Sequence, residues 1–513
     1  MNNMDRLEKI LSRIAILIFG SIELVLTLLS ICSTAFIDDI ETTVFKRDNI
    51  CLNILILVMV AAISAIVRFR CCGKDSRLQE KTSHIIFLTV AVTNIVLMTL
   101  WIMTTRLSPT LDQKSVLDIA AGMLKGDYSA WDAKGYMFYY PFQNGIVIYY
   151  YMLFKITGTT GYILPQLLNV VYYAISMYVL YKITCIVSRS QRIGRLSYYV
   201  MVIWVPLAMY TTFIYGTIPG FMFSVLSIML FYYYIDKRKF IYAVMSILSM
   251  VVACILKSNY SISLIALLIF MVADFIHTKD KKSIVFVILT IIMLAAGTKG
   301  INKLTESITG KLTPDGIPKV AWAAMGLSNS NDLYGWWDGY NLFVYNKNDL
   351  DYGMAQKEAA GKVKGLVQTY AEAPVYGAKF FAKKAISIWC NPTFQGIQIQ
   401  KSRLSDGHYP KIVESVLFDD GAGNKALYDI LNLMQTVIYT GAFLWAVFNY
   451  KDAGLYSLTI PIIFIGGFLF HIVWEAKAQY TVTYFYMLIP YAVMGWNSCG
   501  KAISEKLKEV LNA

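Results

Sequence analysis

Apolar runs of the length that a hydrocarbon core demands recur along this chain, separated by short polar stretches. A spanning helix needs about 17–25 mainly apolar residues, and the pattern offers about twelve stretches of this kind. They are residues 14–36, 50–67, 84–104, 162–185, 196–210, 221–235, 241–256, 261–276, 284–296, 431–448, 456–473 and 482–496. Helices buried in a soluble core would carry a polar stripe, which these runs lack. The expected fold class is an all-α polytopic membrane protein of about twelve transmembrane helices. Residues 146–156 are too short to span comfortably and read as an interfacial helix.

Two polar stretches interrupt this rhythm. One is 108–145; the other is the long segment 300–429, which turns helical from Met354, with Pro374 dividing two helices. The expected organisation is two leading spans (1–82), a membrane module (83–299) with a large loop at 106–161, a mainly helical extracytoplasmic domain (300–429), and three closing spans with a tail (430–513). No internal repeat is evident, which argues against an inverted-repeat transporter.

Composition agrees with the pattern, since 57% of the 513 residues are hydrophobic, too many for a soluble globule. The formal charge of +13 raises the question of nucleic acid. Its distribution answers otherwise, because Lys and Arg concentrate in the loops at 68–81, 188–195, 236–240 and 277–282 and in the tail, while 37–49 and 215–220 are poorer. That is the positive-inside pattern. It predicts a multi-pass cell-membrane protein with both termini cytoplasmic and with 108–161, 215–220, 257–260, 300–429 and 474–480 outside. The first run follows Arg6, Lys9 and Arg13 and lacks a small-residue cleavage site, so it reads as a retained anchor. Eight cysteines and four histidines show neither a disulfide framework nor zinc spacing. No cofactor is expected, and a divalent metal has no support beyond His471 and Glu475, one helical turn apart.

Candidate chemistry gathers in the segments expected outside. Asp112 follows Ser-Pro-Thr-Leu and opens the helical pattern VLDIAAGMLKG. It either caps that helix or acts as a general base on a hydroxyl or amine attacking a sugar carbon. Asp118, Asp127 and Asp132 read as solvated loop charges. The YYPFQNG segment, 139–145, forms either an interfacial aromatic belt or a ledge walling a lipid-linked substrate, with Tyr140 and Gln143 in the groove. Lys257 stands with Asn259 and Tyr260, and Lys477 with Glu475, Gln479 and Tyr480. Each lysine either snorkels or meets a phosphate leaving group. Trp336, Trp337 and Tyr340 are placed to stack on sugar faces, with Asp338 and Asn341 bonding hydroxyls, or else they form a domain core. Glu23, inside the first run, is either functional or hydrogen-bonded to a neighbouring helix.

Taken in order, SPTLDQKSV, YPFQNG, KSNYSISLIAL, IPKVAWAAMGL and EAKAQYTVTYFYMLIP resemble the GT-C superfamily of polytopic glycosyltransferases. The likeness is to bacterial relatives of protein O-mannosyltransferases and of lipid A aminoarabinose transferases. It covers most of residues 84–496 and leaves out the two leading spans. It implies a GT-C-like fold and a polyprenyl-phosphate-linked sugar donor, with inverting transfer outside the membrane. Asp112 would be the catalytic base, and Lys257 or Lys477 would meet the donor phosphate, with Asn259 and Tyr260 beside them. Gln113, Tyr140, Gln143, Glu475, Gln479, Tyr480, Trp336 and Asp338 would line the substrate site. Many relatives carry an acidic pair where this chain has Asp112-Gln113, which argues against a metal, and many have Arg where this chain has Gln479. The expected function is a membrane glycosyltransferase acting on an extracytoplasmic glycopolymer, lipid or protein, among membrane lipids and without nucleic acid. The rivals are a flippase for lipid-linked saccharides and a non-catalytic subunit of a cell-envelope assembly.

Overall fold

The apolar runs expected to be helical are helical, except that the first gives way to a strand after Cys32 and the run 196–210 breaks after Ile203. The computed structural model describes residues 3–38, 41–70, 77–404, 408–451 and 453–512. Cys71, Cys72 and Lys74 lie outside the described residues. The chain is mostly helical (79%), yet it is not all-α. Ser33–Ile37 pairs antiparallel with Thr43–Arg47, Ala35 opposite Phe45, in a hairpin joining the first two spans. The polar stretch read as a simple loop carries Thr43, Val44 and Phe45, β-branched and aromatic residues that favour a strand.

Among the described residues nine helices are long and apolar enough to cross a membrane, ten if a bent pair counts as one span, fewer than the expected twelve. The bent pair is Gln191–Ile203 and Pro206–Thr212, which meet at 55°. Pro206 explains the break, since its ring and missing N–H cannot continue the preceding helix. The helix Phe240–Leu256 falls short at 17 residues. Val482–Asn512 carries Pro490, Asn497 and several tyrosines, which lower its hydropathy. The helix Asn144–Thr157 is not among the candidate spans; it packs Val147, Tyr150 and Phe154 onto Val116, Met123 and Ile214.

Successive helices run back and forth, so alternate connections gather at two opposite ends. At one end the Tyr162 hydroxyl donates to the Arg106 carbonyl at 2.9 Å. Gln166 donates there to the carbonyls of Leu107 (2.9 Å) and Thr212 (3.1 Å). Two glycines allow close approach there: a Cβ on Gly145 would stand 2.1 Å from the Ile255 carbonyl, and one on Gly216 (φ +72°) 2.4 Å from that of Leu256. Both contacts press neighbouring segments onto the chain just before Lys257.

The segment from Gly310 onward forms a layer over this end. Ile317, Trp322, Met325, Val344 and Ala359 build a small core that also receives Tyr139, Tyr140 and Trp474. Its helices Tyr352–Glu372 and Pro374–Trp389 divide at Pro374 as expected, with the proline in the first turn, where its missing N–H costs nothing. The expected boundaries at 82, 299 and 429 all fall inside continuous helices. Lys281–Thr309 in particular runs 29 residues and ends at Gly310, φ 67°. Glu23 is fully buried in the first span beside Tyr439, and neither carboxylate oxygen has a hydrogen-bond partner among the described residues, contrary to the expected bond.

Candidate functional site

Asp112 lies in the first turn of Leu111–Met123, but it does not act as the cap. Thr110 holds the N-cap position, and Leu111, with φ 49°, turns the chain sharply into the helix. A leucine at positive φ is strained backbone, and that turn leaves Asp112 exposed at the loop surface. The buried Tyr136 phenol is within electrostatic reach of the Asp112 carboxylate. Asp112 is also in electrostatic reach of Tyr140, Tyr215, Lys257, Glu475, Lys477 and Tyr480. The other acids of the loop are occupied by neighbours: Asp118 by Lys114, Asp127 by Ser129, and Asp132 by Lys311 at 2.6 Å.

The two lysines are presented by one local design used twice. Lys257 is extended (φ −155°, ψ 115°) and is followed by a 3-10 turn, Ser258–Tyr260, and then a long helix. Lys477 is extended likewise (φ −153°, ψ 126°), with the turn Ala478–Tyr480 and a long helix after it. In each turn the tyrosine N–H donates back to the lysine carbonyl, at 3.2 and 3.1 Å. The sequences behind them are KSNYSIS and KAQYTVT, a short repeat of Lys, amide, Tyr and alternating hydroxyl residues. The spacing alone carries this repeat in the sequence, where the surrounding apolar runs mask it.

Lys257 sets its amine 4.4 Å from the centre of the Tyr215 ring and 5.3 Å from that of Tyr480, within cation–π range. Burial pushes its pKa down to about 8, against the opposing pull of Asp112 and Glu475. Lys477 donates to Glu41 at 3.0 Å. Burial disfavours its charge, but Glu41 and Glu475 outweigh that and hold its pKa above the usual lysine value. Glu475 is almost fully buried, and burial lifts its carboxyl to about 7 despite Lys477. The Tyr480 hydroxyl donates to it at 3.5 Å. Glu41 belongs to the loop of the N-terminal hairpin, a region outside the resemblance, and was not among the expected site residues.

The remaining expected residues divide. Gln143 joins the cluster by donating to the Tyr215 hydroxyl, which lies 3.5 Å from that of Tyr136. Tyr140 packs on Tyr136 at 5.0 Å and on Trp322 at 6.2 Å, within reach of Asp112 and Glu475. Gln113 points the other way. It is buried, and its Oε1 accepts from the Ile214 amide at 3.0 Å and from Arg403, which also grips Thr212. Tyr260 is buried and donates to the Thr217 carbonyl at 2.6 Å. The Asn259 carbonyl accepts from Tyr484, and the Gln479 amide donates to Gln395. These three hold the lysine turns in place.

Trp336 is enclosed, 1% exposed, and donates to Ser387 at 2.9 Å, so it serves as core and not as the exposed sugar platform expected of it. Asp338 is occupied by the Ser330 hydroxyl at 2.6 Å and the Tyr340 amide at 3.0 Å. His471 is fully buried against Tyr480, and neither ring nitrogen has a hydrogen-bond partner among the described residues. Also among the described residues, no three His, Cys, Asp or Glu side chains are grouped to hold a metal ion.

The cluster therefore offers one accessible carboxylate, one buried carboxyl that titrates near neutrality, two amines, and a wall of tyrosines. Such a set can take a proton from one group while meeting negative charge on another. No family model, curated protein or solved structure matches the chain.

Proposed function

We propose that this polytopic membrane protein is a glycosyltransferase that takes a sugar from a polyprenyl-phosphate donor and passes it to an extracytoplasmic glycopolymer, lipid or protein. The observation that carries the reading is the meeting of Asp112 with Lys257 and Lys477 in one electrostatic cluster at the ends of the helices, where a lipid headgroup sits. Asp112 accepts the proton of an acceptor hydroxyl or amine. The freed lone pair attacks the anomeric carbon as its bond to the phosphate oxygen breaks. The electron pair of that bond leaves with the polyprenyl phosphate, and the lysine amines offset its charge. Attack from the side opposite the phosphate inverts the anomeric centre. Tyr136, Tyr140, Tyr215 and Gln143 form the wall against which donor and acceptor are aligned.

A transporter of lipid-linked saccharides would need polar groups along the depth of the bundle. The candidate chemistry here sits at one end instead, which favours an enzyme. The test is to incubate the purified protein in detergent with polyprenyl-phosphate sugars and follow donor consumption. The expected result is release of polyprenyl phosphate by the wild type and none by Asp112→Asn. Full turnover by that variant would sink the assignment.

A further inference from the structure

The two lysine turns share a conformation but differ in what faces the amine. Lys257 faces aromatic rings and, among the described residues, forms no ion pair. Lys477 is held at 3.0 Å by Glu41, which reaches across from the hairpin of the two leading helices. The side chains of this pair are 18% and 32% exposed, so the contact is at the accessible edge of the cluster, where an incoming group can compete for it. Glu41 itself sits at φ 61°, in the left-handed region, which a tight loop must stabilise to aim that side chain. The Thr42 amide and hydroxyl supply this by donating to Asp38 on the near side of the loop.

We infer that the paired turns form a two-pronged cradle for one phosphate group, and that Glu41 is an internal stand-in for that phosphate, latching Lys477 until an anionic headgroup displaces it. The inference rests on the glycosyltransferase reading above and adds to it a regulatory part contributed by the N-terminal hairpin. A carboxylate and a phosphate oxygen offer a lysine the same kind of acceptor. The Lys257 amine stands 5.3 Å from the ring of Tyr480, in the turn that Lys477 opens, so the two turns lie side by side and face one ligand. With Glu41 on Lys477 the cradle is half closed. When a phosphate replaces it, both amines serve the same anion, and the hairpin is released from the site. The hairpin is anchored independently of this latch, through the Ala35 amide on the Cys390 carbonyl and the Asn391 side chain on the Ala35 carbonyl, so its release needs only the Glu41 side chain to turn away.

The experiment measures equilibrium binding of a long-chain polyprenyl phosphate to the purified full-length protein in detergent. Uncharged polyprenol and inorganic phosphate serve as comparison ligands. Glu41→Gln removes the competing charge and is expected to bind polyprenyl phosphate about three- to tenfold more tightly than the wild type. Polyprenol binding should be unchanged. Lys477→Gln should weaken binding about tenfold, and Lys477→Arg should restore most of it. The double variant Glu41→Gln, Lys477→Gln should bind like Lys477→Gln alone, because the glutamate acts only through that lysine. A general structural role for Glu41 would loosen binding of both lipids and would not vanish in the Lys477 background. If the wild type binds polyprenyl phosphate and Glu41→Gln binds it equally or less well, the latch is wrong and the enzyme reading survives. If the wild type binds it no better than polyprenol, the cradle and the enzyme reading both fall. Binding of inorganic phosphate as tight as that of the lipid would overturn the assignment to a lipid headgroup.

Discussion

At one end of the helix Ser261–Thr278 the Asp274 carboxylate is enclosed on all sides. Arg238 donates to it through both terminal nitrogens at 2.8 Å, and Ser283 and Tyr456 fill the remaining lone pairs. At the other end, beside Ser258, the lysine cluster holds Asp112, Glu475, Lys257 and Lys477 with few direct bonds between them. The first arrangement satisfies every polar atom of its acid, as a buried ion requires if it is not to destabilise the fold. The second leaves donors and acceptors unsaturated in a partly desolvated place, which is costly for the fold unless a ligand completes it. Closed charge holds helices together, and open charge holds something else.

The largest test of that contrast is Asp112→Asn. It keeps shape and removes the base, so transfer should fall by roughly 10²–10⁴-fold in a donor-consumption assay while the thermal unfolding midpoint stays put. A comparable loss of stability would show that Asp112 belongs to the closed class. Asp274→Asn should do the reverse. It leaves Arg238 facing a neutral amide and should cost roughly 2–4 kcal/mol of stability. The folded fraction should bind polyprenyl phosphate as before; a change in affinity would mean the two ends are coupled through the helix.

Glu475 sharpens the comparison through pH. Its carboxyl is raised by burial from 4.5 to about 7. The stability it contributes is therefore fully present below about 4.5 and is lost as pH rises through 7. Lys257, depressed to about 8, remains protonated in both states across that window. Glu475→Gln should thus be more stable than wild type at pH 7 by about 1–3 kcal/mol, and show little gain at pH 4.5, in a thermal melt followed across the range. An equal gain at both pH values would refute the burial of an ionising acid. The smallest effect belongs to Trp336→Phe, which loses the bond to Ser387. It should cost about 1 kcal/mol in the same melt and leave sugar transfer unaltered. A selective rise in KM would return Trp336 to the substrate site.

Much of the scaffold was readable because period and breakers act locally. The apolar runs became helices, Pro374 split two of them, and the strongest loop candidate, Asp112, lies with Gln143, Lys257, Glu475 and Lys477 at one end. What escaped reading depends on contacts distant in sequence. Glu41 meets Lys477 across 436 positions, and nothing in the letters IDDIETT announces that. Trp336 misled for a different reason. Its Gly, Asp and Asn neighbours look like a solvent-facing loop, while the indole itself turns inward to Ser387. The span count came out too high because apolar content alone does not separate a crossing helix from a short or tyrosine-rich one.

The uninterrupted helix Lys281–Thr309 sets a scale for all of this. Twenty-nine residues at 1.5 Å each make a rod of about 43 Å, against a hydrocarbon thickness of about 30 Å. Its surplus turns stand clear of the lipid like a mast. Lys311 and Glu306 moor the overlying loops to its top, through Asp132 and Thr313. The rod thereby fixes how far the Asp112 cluster stands from the middle of the helices. Under the proposed function, a donor headgroup in a thinner membrane would have farther to rise to reach the two lysines.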